Sequence, residues 1–495
     1  MTSPRTLAEL VGDELNRSTP ATWLEVKNPA TGTTIGLAPV ATKERVEIAL
    51  LAARNAFDTT PWRHEPQRRA ELLRHVAEAI EENLEPLAHA ESTDTGMTLK
   101  MCMHGHLPRA IEHFRFFAGE TERLSGQVFQ TGEAFVQLVE REPIGVVAVL
   151  APWNAPLAVA SMNVAAAMAA GNCVVIKSSE RAPFSLSLLA EIFHGIGIPP
   201  GVVSVVHGPA EPTGSALVGS ALVDGLCFVG GTETARHLIA TSPQPFRRMT
   251  LELGGKSPTI ICNNADLNDA VDGALLSAFS SNGEVCTAGS RILVHVSRYD
   301  DFVEQFVRRA SAIRVGNPSD PGTELGPLID ENHRCAVEAH LRAAVRSGAR
   351  IMCGGECPEH LKPGSYLAPA VLTDVTPQMA IWHDEVFGPV AAIVRFEQLD
   401  EAVRLANDSR YGLSASVWCG DTADGIALAR HLQCGTVSVN APVIRDIRVP
   451  FGGWKESGLG RVGGRFSIEQ FTEIKVTNLC VGTFSLPRYG TSPDQ

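Results

Sequence analysis

With 495 residues, 44% of them hydrophobic, and a mean hydropathy of +0.04, the chain has the composition of a globular protein with a large core, and its length predicts two or more domains. Its formal net charge of −13 argues against nucleic acid or an anionic membrane surface as the main partner. Residues 1–17 show no signal-peptide core, no apolar run reaches the roughly twenty residues of a membrane span, and eleven cysteines without paired spacing fit reduced thiols in the cytoplasm.

Residues 144–150 read as a buried strand, followed by a loop bounded by Pro152 and Pro156 and an Ala-rich helix over 157–170. The next strand is 173–177, then a helix over 184–194, and strands at 202–206, 225–229 and 259–262 with helices between them. Such alternation predicts an α/β fold with parallel sheet built from βαβ units. A second series predicts a second α/β domain: strand 291–296, helices 299–313 and 331–346, then strands 391–396 and 435–439. Cys353 and Cys357 lie four apart with no second Cys pair nearby, so no metal is expected.

Two segments carry chemistry. Cys286 stands in Ser281-Asn282-Gly283-Glu284-Val285-Cys286-Thr287-Ala288-Gly289-Ser290-Arg291, thirty-four residues after Glu252 in Leu251-Glu252-Leu253-Gly254-Gly255-Lys256. A thiol and a carboxylate, each among small residues, can supply a nucleophile and a general base. Taken singly, each also reads as a buried cysteine or a Gly-Gly turn.

Together with Pro152-Trp153-Asn154-Ala155-Pro156, Lys177-Ser178-Ser179-Glu180, Glu385-Val386-Phe387-Gly388-Pro389 and Pro450-Phe451-Gly452-Gly453, these segments resemble, in order, the signatures of the aldehyde dehydrogenase superfamily. The resemblance runs from about residue 28 to about 475. It implies a Rossmann-like NAD-binding domain (1–125 and 144–253), an α/β catalytic domain (254–455), and β strands at 126–143 and 470–488 joining subunits into a homodimer or homotetramer. It implies Cys286 as nucleophile, Glu252 as base and Asn154 as the donor to a tetrahedral oxyanion. The same resemblance places Lys177 and Glu180 at the adenosine ribose of NAD, where a carboxylate disfavours the 2′-phosphate of NADP. Gly230 and Gly231 fall near the pyrophosphate, and Glu385 and Phe387 at the nicotinamide ribose and ring. Pro152, Trp153, Ser179, Gly208, Phe228 and Leu253 complete the cofactor set.

Gly458-Leu459-Gly460-Arg461-Val462-Gly463 matches G-x-G-x-x-G but lacks a preceding strand and reads as a loop. Two departures from the family pattern stand out: Ser178 where a proline is usual, and Phe228-Val229-Gly230-Gly231-Thr232 where Thr-Gly-Ser is common.

Arg445-Asp446-Ile447-Arg448, just before Pro450, resembles the substrate-entrance loop of the branch acting on 2-hydroxymuconate and 5-carboxymethyl-2-hydroxymuconate semialdehydes. Guanidinium pairs with carboxylate in a two-pronged geometry, so Arg109 and Arg448 are the expected carboxylate ligands, with Arg445 in reserve. The alternative for Arg448 is a surface pair with Asp446. Neutral aromatic or aliphatic aldehydes, and a Cys-dependent esterase without redox chemistry, are the competing functions. Glu252 speaks against acyl transfer to coenzyme A.

Overall fold

Val146–Leu150, Cys173–Lys177 and Val203–Val206 are buried along almost their whole length, which is why their sequences run apolar without alternation. In the computed structural model, which describes residues 4–17 and 22–490, these strands lie at the centre of an eight-stranded sheet. Residues 1–3 and 18–21 of the first expected segment lie outside the described residues. Five strands run parallel, in the order Arg248–Glu252, Gly225–Val229, Val146–Leu150, Cys173–Lys177, Val203–Val206. Glu9–Val11 and Gly458–Leu459 add antiparallel strands on either side of this parallel block.

The helix Pro156–Ala169 begins with proline at its first turn, where a missing N–H costs nothing, and buries nearly every side chain. Its alanines let it lie close against neighbouring helices, and Val164, Met168 and Leu157 join one continuous core with Val147, Ile176 and Phe193.

The second sheet has seven strands in the order Arg350–Cys353, Ala370–Thr373, Val390–Phe396, Arg291–His295, Pro258–Ile261, Ser414–Trp418, Thr436–Val439. All pair in parallel except Arg350–Cys353 at one edge. Its two faces carry separate cores, one around Trp382, Leu293 and Phe396, the other around Phe302, Phe306 and Ile292. A third sheet pairs Phe135–Pro143 with Gln127–Thr131 and Thr472–Cys480.

One expectation changes. Gly458–Leu459, expected as loop, is a short edge strand hydrogen-bonded to Leu251 and Glu252. A side chain at Gly458 would sit 2.2 Å from the Leu251 carbonyl, so only glycine permits this approach. Among the described residues no helix is long and apolar enough to cross a membrane.

Candidate active site and cofactor cavity

Cys286 and Glu252 line one cavity of about 790 Å³ at the C-terminal ends of the first sheet's strands. That is where open parallel sheets bind ligands. The nucleophile segment reaches it through a sharp turn: Ser281 and Asn282 are left-handed at φ 50° and 57°, and Gly283 at 68°. Asn282 meets the cost of that backbone by donating to the Pro327 carbonyl at 3.1 Å and accepting from the Gly326 amide at 2.9 Å. Gly283 cannot carry a side chain, because a Cβ would lie 2.3 Å from the Gly388 carbonyl.

The two reactive segments are tied beyond their reactive residues. Arg291, fully buried, donates to the carbonyls of Lys256, Leu405 and Ala406, and its guanidinium lies over Trp382. It joins the strand after Cys286 to the segment after Glu252. Ser457 donates its hydroxyl to the Gly254 carbonyl at 2.7 Å and accepts from the Gly412 amide, while its own carbonyl accepts from Leu253 N. Gly254 and Gly255 admit Glu385, whose carboxylate accepts from Gly255 N at 3.0 Å; a Cβ on Gly254 would lie 2.0 Å from it.

Glu252 is buried, and among the described residues neither carboxylate oxygen has a hydrogen-bond partner. Burial pushes its pKa up to about 8, opposed by Arg445 and Arg461. Burial also raises the Cys286 thiol, against the charge and a hydrogen bond of Arg445, with Glu252 raising it further. Asn154 donates from Nδ2 to the Glu284 carbonyl at 2.9 Å, which fixes the amide and leaves its second N–H for an oxyanion. Glu91, accepting from Leu157 N and bonded to His106 at 2.8 Å, anchors the helix that follows this loop.

Pro152, Trp153, Lys177, Ser179, Glu180, Phe228, Gly230, Gly231, Leu253, Glu385 and Phe387 all line the same cavity. Lys177 is buried and lies 3.6 Å from the Glu180 carboxylate. The helix Thr232–Thr241 starts at Gly231 without a side-chain cap, leaving amide donors at the cavity wall for an anion. Gly230 fits under the Phe228 ring only because it lacks a Cβ. These donors and a cavity of this volume fit a dinucleotide. Gly208 does not line the cavity: it packs against Thr213, and Ala210, Glu211 and Ser215 face the cavity in its place. Arg181, absent from the sequence expectations, lies over Trp153 and pairs with Asp330.

The arginines divide differently from the expectation. Arg448 is exposed and chelates Asp446, with Nε at 2.9 Å from Oδ1 and 3.1 Å from Oδ2. Its own amide also donates to that carboxylate, a local turn that turns the side chain outward and corrects its assignment beside Arg109. Arg445 instead stacks 3.6 Å from the Phe451 ring centre and reaches Cys286. Arg109, on the helix Leu107–Arg123, is lowered to about 10 by burial and by Arg445, against the charge of the Cys286 sulfur. His113, one turn on, is held neutral by burial and by Arg109, and contacts the Ser161 hydroxyl at 3.1 Å. Nothing in the sequence points to it, since a lone histidine on a helix carries no signal.

The aldehyde dehydrogenase family model matches residues 16–477. The chain is 39% identical over 448 residues to 5-carboxymethyl-2-hydroxymuconate semialdehyde dehydrogenase of Escherichia coli, covering 89% of this chain and 94% of that one. It is 36% identical over 461 residues to the chloroplastic betaine aldehyde dehydrogenase of Atriplex hortensis, covering 91% and 92%. The NAD+ complex of an aldehyde dehydrogenase from Bacillus cereus superposes with a TM-score of 0.94 at 34% identity, covering 97% of each chain. The chain belongs to the aldehyde dehydrogenase family, and it is an enzyme that oxidises aldehydes.

Proposed function

We propose that this enzyme oxidises a carboxylate-bearing semialdehyde to the free acid with NAD, using Cys286, Glu252 and Asn154. The sulfur of Cys286 attacks the aldehyde carbon as its proton passes to Glu252, and a thiohemiacetal forms. Asn154 Nδ2 and the Cys286 backbone N–H hold the new oxyanion. A bound dinucleotide supplies the hydride acceptor for collapse to a thioester on Cys286. Glu252 gives up that proton to solvent, takes another from water as the water attacks the thioester, and returns it to the departing sulfur, which releases the acid and the thiol. A base with a pKa of about 8 suits both transfers.

Lys177 and Glu180 would hold the adenosine ribose, and the Glu180 carboxylate supports NAD over NADP by repelling a 2′-phosphate. The first sheet, with segments 1–125 and 144–253, would be the cofactor domain, and 254–455 the catalytic domain. Strands 126–143 and 470–488 carry exposed Val128, Phe129, Ile474 and Val476, which suits a homodimer or homotetramer contact.

The observation that carries the substrate class is the pair of cations Arg109 and Arg445, whose charges act on the Cys286 sulfur. Among the described residues Arg109 has no ion pair or hydrogen bond, so a guanidinium stands ready for an anion. The named substrates of the relatives differ in charge, from a muconate semialdehyde to betaine aldehyde. Comparing NADH formation with a ring-cleavage semialdehyde, benzaldehyde and a medium-chain aldehyde tests the proposal. Preference for either neutral aldehyde would overturn the substrate class and leave the thiol chemistry standing.

A further inference from the structure

Glu284, two residues before Cys286, is wholly buried, and the mechanism above does not use its side chain. Its Oε1 accepts from Ile329 N at 3.0 Å and lies 3.7 Å from His333 Nε2, while Oε2 is buried without a partner among the described residues. Its backbone carbonyl is the acceptor for Asn154 Nδ2. His333 sits in the first turn of the helix Glu331–Arg346, which Asp330 caps through His333 N at 2.7 Å. His333 Nε2–H donates to the Phe387 carbonyl at 2.7 Å, and its ring packs edge-on against Trp153 at 5.5 Å. Trp153 in turn packs edge-on against the Phe387 ring at 5.3 Å.

Phe387 needs that support. Its backbone is left-handed at φ 53°, a conformation that costs an aromatic residue free energy and persists only where neighbours hold it. We propose that Glu284 and His333 are a positioning pair that sets, from one buried junction, both the Asn154 amide beside Cys286 and the Phe387 segment that faces the cofactor. The proposal rests on the roles given above to Asn154 and Phe387. Glu284 anchors its own peptide through Ile329 N–H, and that peptide aims the amide of Asn154. His333 fixes the Phe387 carbonyl and packs against Trp153 on the cofactor side. Burial raises the Glu284 carboxyl well above its ordinary range, which works against a charge beside an oxyanion forming two residues away.

The test compares two reactions of the full-length enzyme: NADH formation from aldehyde, and hydrolysis of 4-nitrophenyl acetate without NAD. The second needs Cys286 and Asn154 but not Phe387. His333→Ala should raise the KM for NAD roughly tenfold and lower NADH formation, with ester hydrolysis within about twofold of the parent; His333→Gln, which can still donate to the Phe387 carbonyl, should recover NAD binding. Glu284→Ala should lower kcat for both reactions by roughly tenfold to a hundredfold at nearly constant KM for aldehyde, and Glu284→Gln should restore most of it. Equal losses of both reactions in His333→Ala, no rescue by the glutamines, or an unaltered Glu284→Ala would overturn the pair. Should Glu284→Ala fail to fold, His333→Ala still decides: divergence of the two reactions supports the pair, and parallel loss overturns it. A parent enzyme that cleaves the ester but forms no NADH would overturn the cofactor reading first, and the role of His333 with it.

Discussion

The two sides of Cys286 are built by different means. On the side proposed for the cofactor the wall is largely backbone geometry: the glycines at 230, 254 and 283 stand where a Cβ would collide, and the Phe228 ring, the Glu385 carboxylate and the Gly388 carbonyl fill the space they leave. On the side proposed above for the substrate the chain supplies charge, with Arg109 from a helix and Arg445 from a loop more than three hundred residues later. A wall of turns binds one shape and tolerates little change. A wall of long side chains can be retuned one residue at a time, which accords with relatives whose named substrates carry opposite charges.

The sharpest break in this comparison is Cys286→Ala, which should abolish NADH formation and ester hydrolysis alike, by roughly a thousandfold or more. Glu252→Gln should cut steady turnover by on the order of a hundredfold and slow the first burst of NADH as well, because the base serves both attack by the thiol and hydrolysis of the thioester. Rapid-mixing absorbance would show it; an undiminished burst would confine Glu252 to the hydrolysis step. Arg445→Met and Arg109→Met should each raise the KM for a carboxylated semialdehyde by about tenfold to a hundredfold and that for a neutral aldehyde far less. Arg448→Ala should change either by less than about twofold, since its partner is Asp446. A larger effect at Arg448 would restore it as a carboxylate ligand beside Arg109.

The smallest effect is on stability. Glu252 and Glu385 have folded pKa values raised to about 8 and about 7, above an ordinary 4.5. Their stabilising contribution is present in full below about pH 4.5 and is lost as pH rises through those values. Thermal midpoints across that range should decline for the parent, and less steeply for Glu252→Gln. Activity should run the opposite way, rising as Glu252 loses its proton.

Local chemistry makes much of this legible in the sequence. The parallel sheets show as apolar runs because both faces are covered, and the reactive segments show because left-handed turns and close approaches demand glycine at fixed spacing. What cannot be read depends on direction rather than identity. Arg445 and Arg448 stand three residues apart in one loop, and only the turn around Asp446 decides which one faces the thiol. His333 looks like any histidine in the first turn of a helix, and its meaning comes from Phe387, fifty-four residues on. Gly208 follows a strand as a cofactor glycine would, yet its space is taken by Thr213. The G-x-G-x-x-G pattern at 458–463 lacks the strand a dinucleotide fingerprint needs, and its first glycine instead braces the strand of the base.

That brace has a consequence for synthesis on the ribosome. Leu251 and Glu252 hydrogen-bond to Gly458–Leu459, and Ser457 clamps the Gly254 turn, so Glu252, the proposed base, takes its final setting from residues made some two hundred positions later. The ribosome can finish Cys286, Asn154 and the strands of the first sheet while Glu252 is still unoriented. Closing that long loop is among the late and slow events of folding. A chain arrested before Ser457 should carry an accessible cysteine that alkylates but does not turn over, and hydrolytic competence should arrive only with the last few dozen residues.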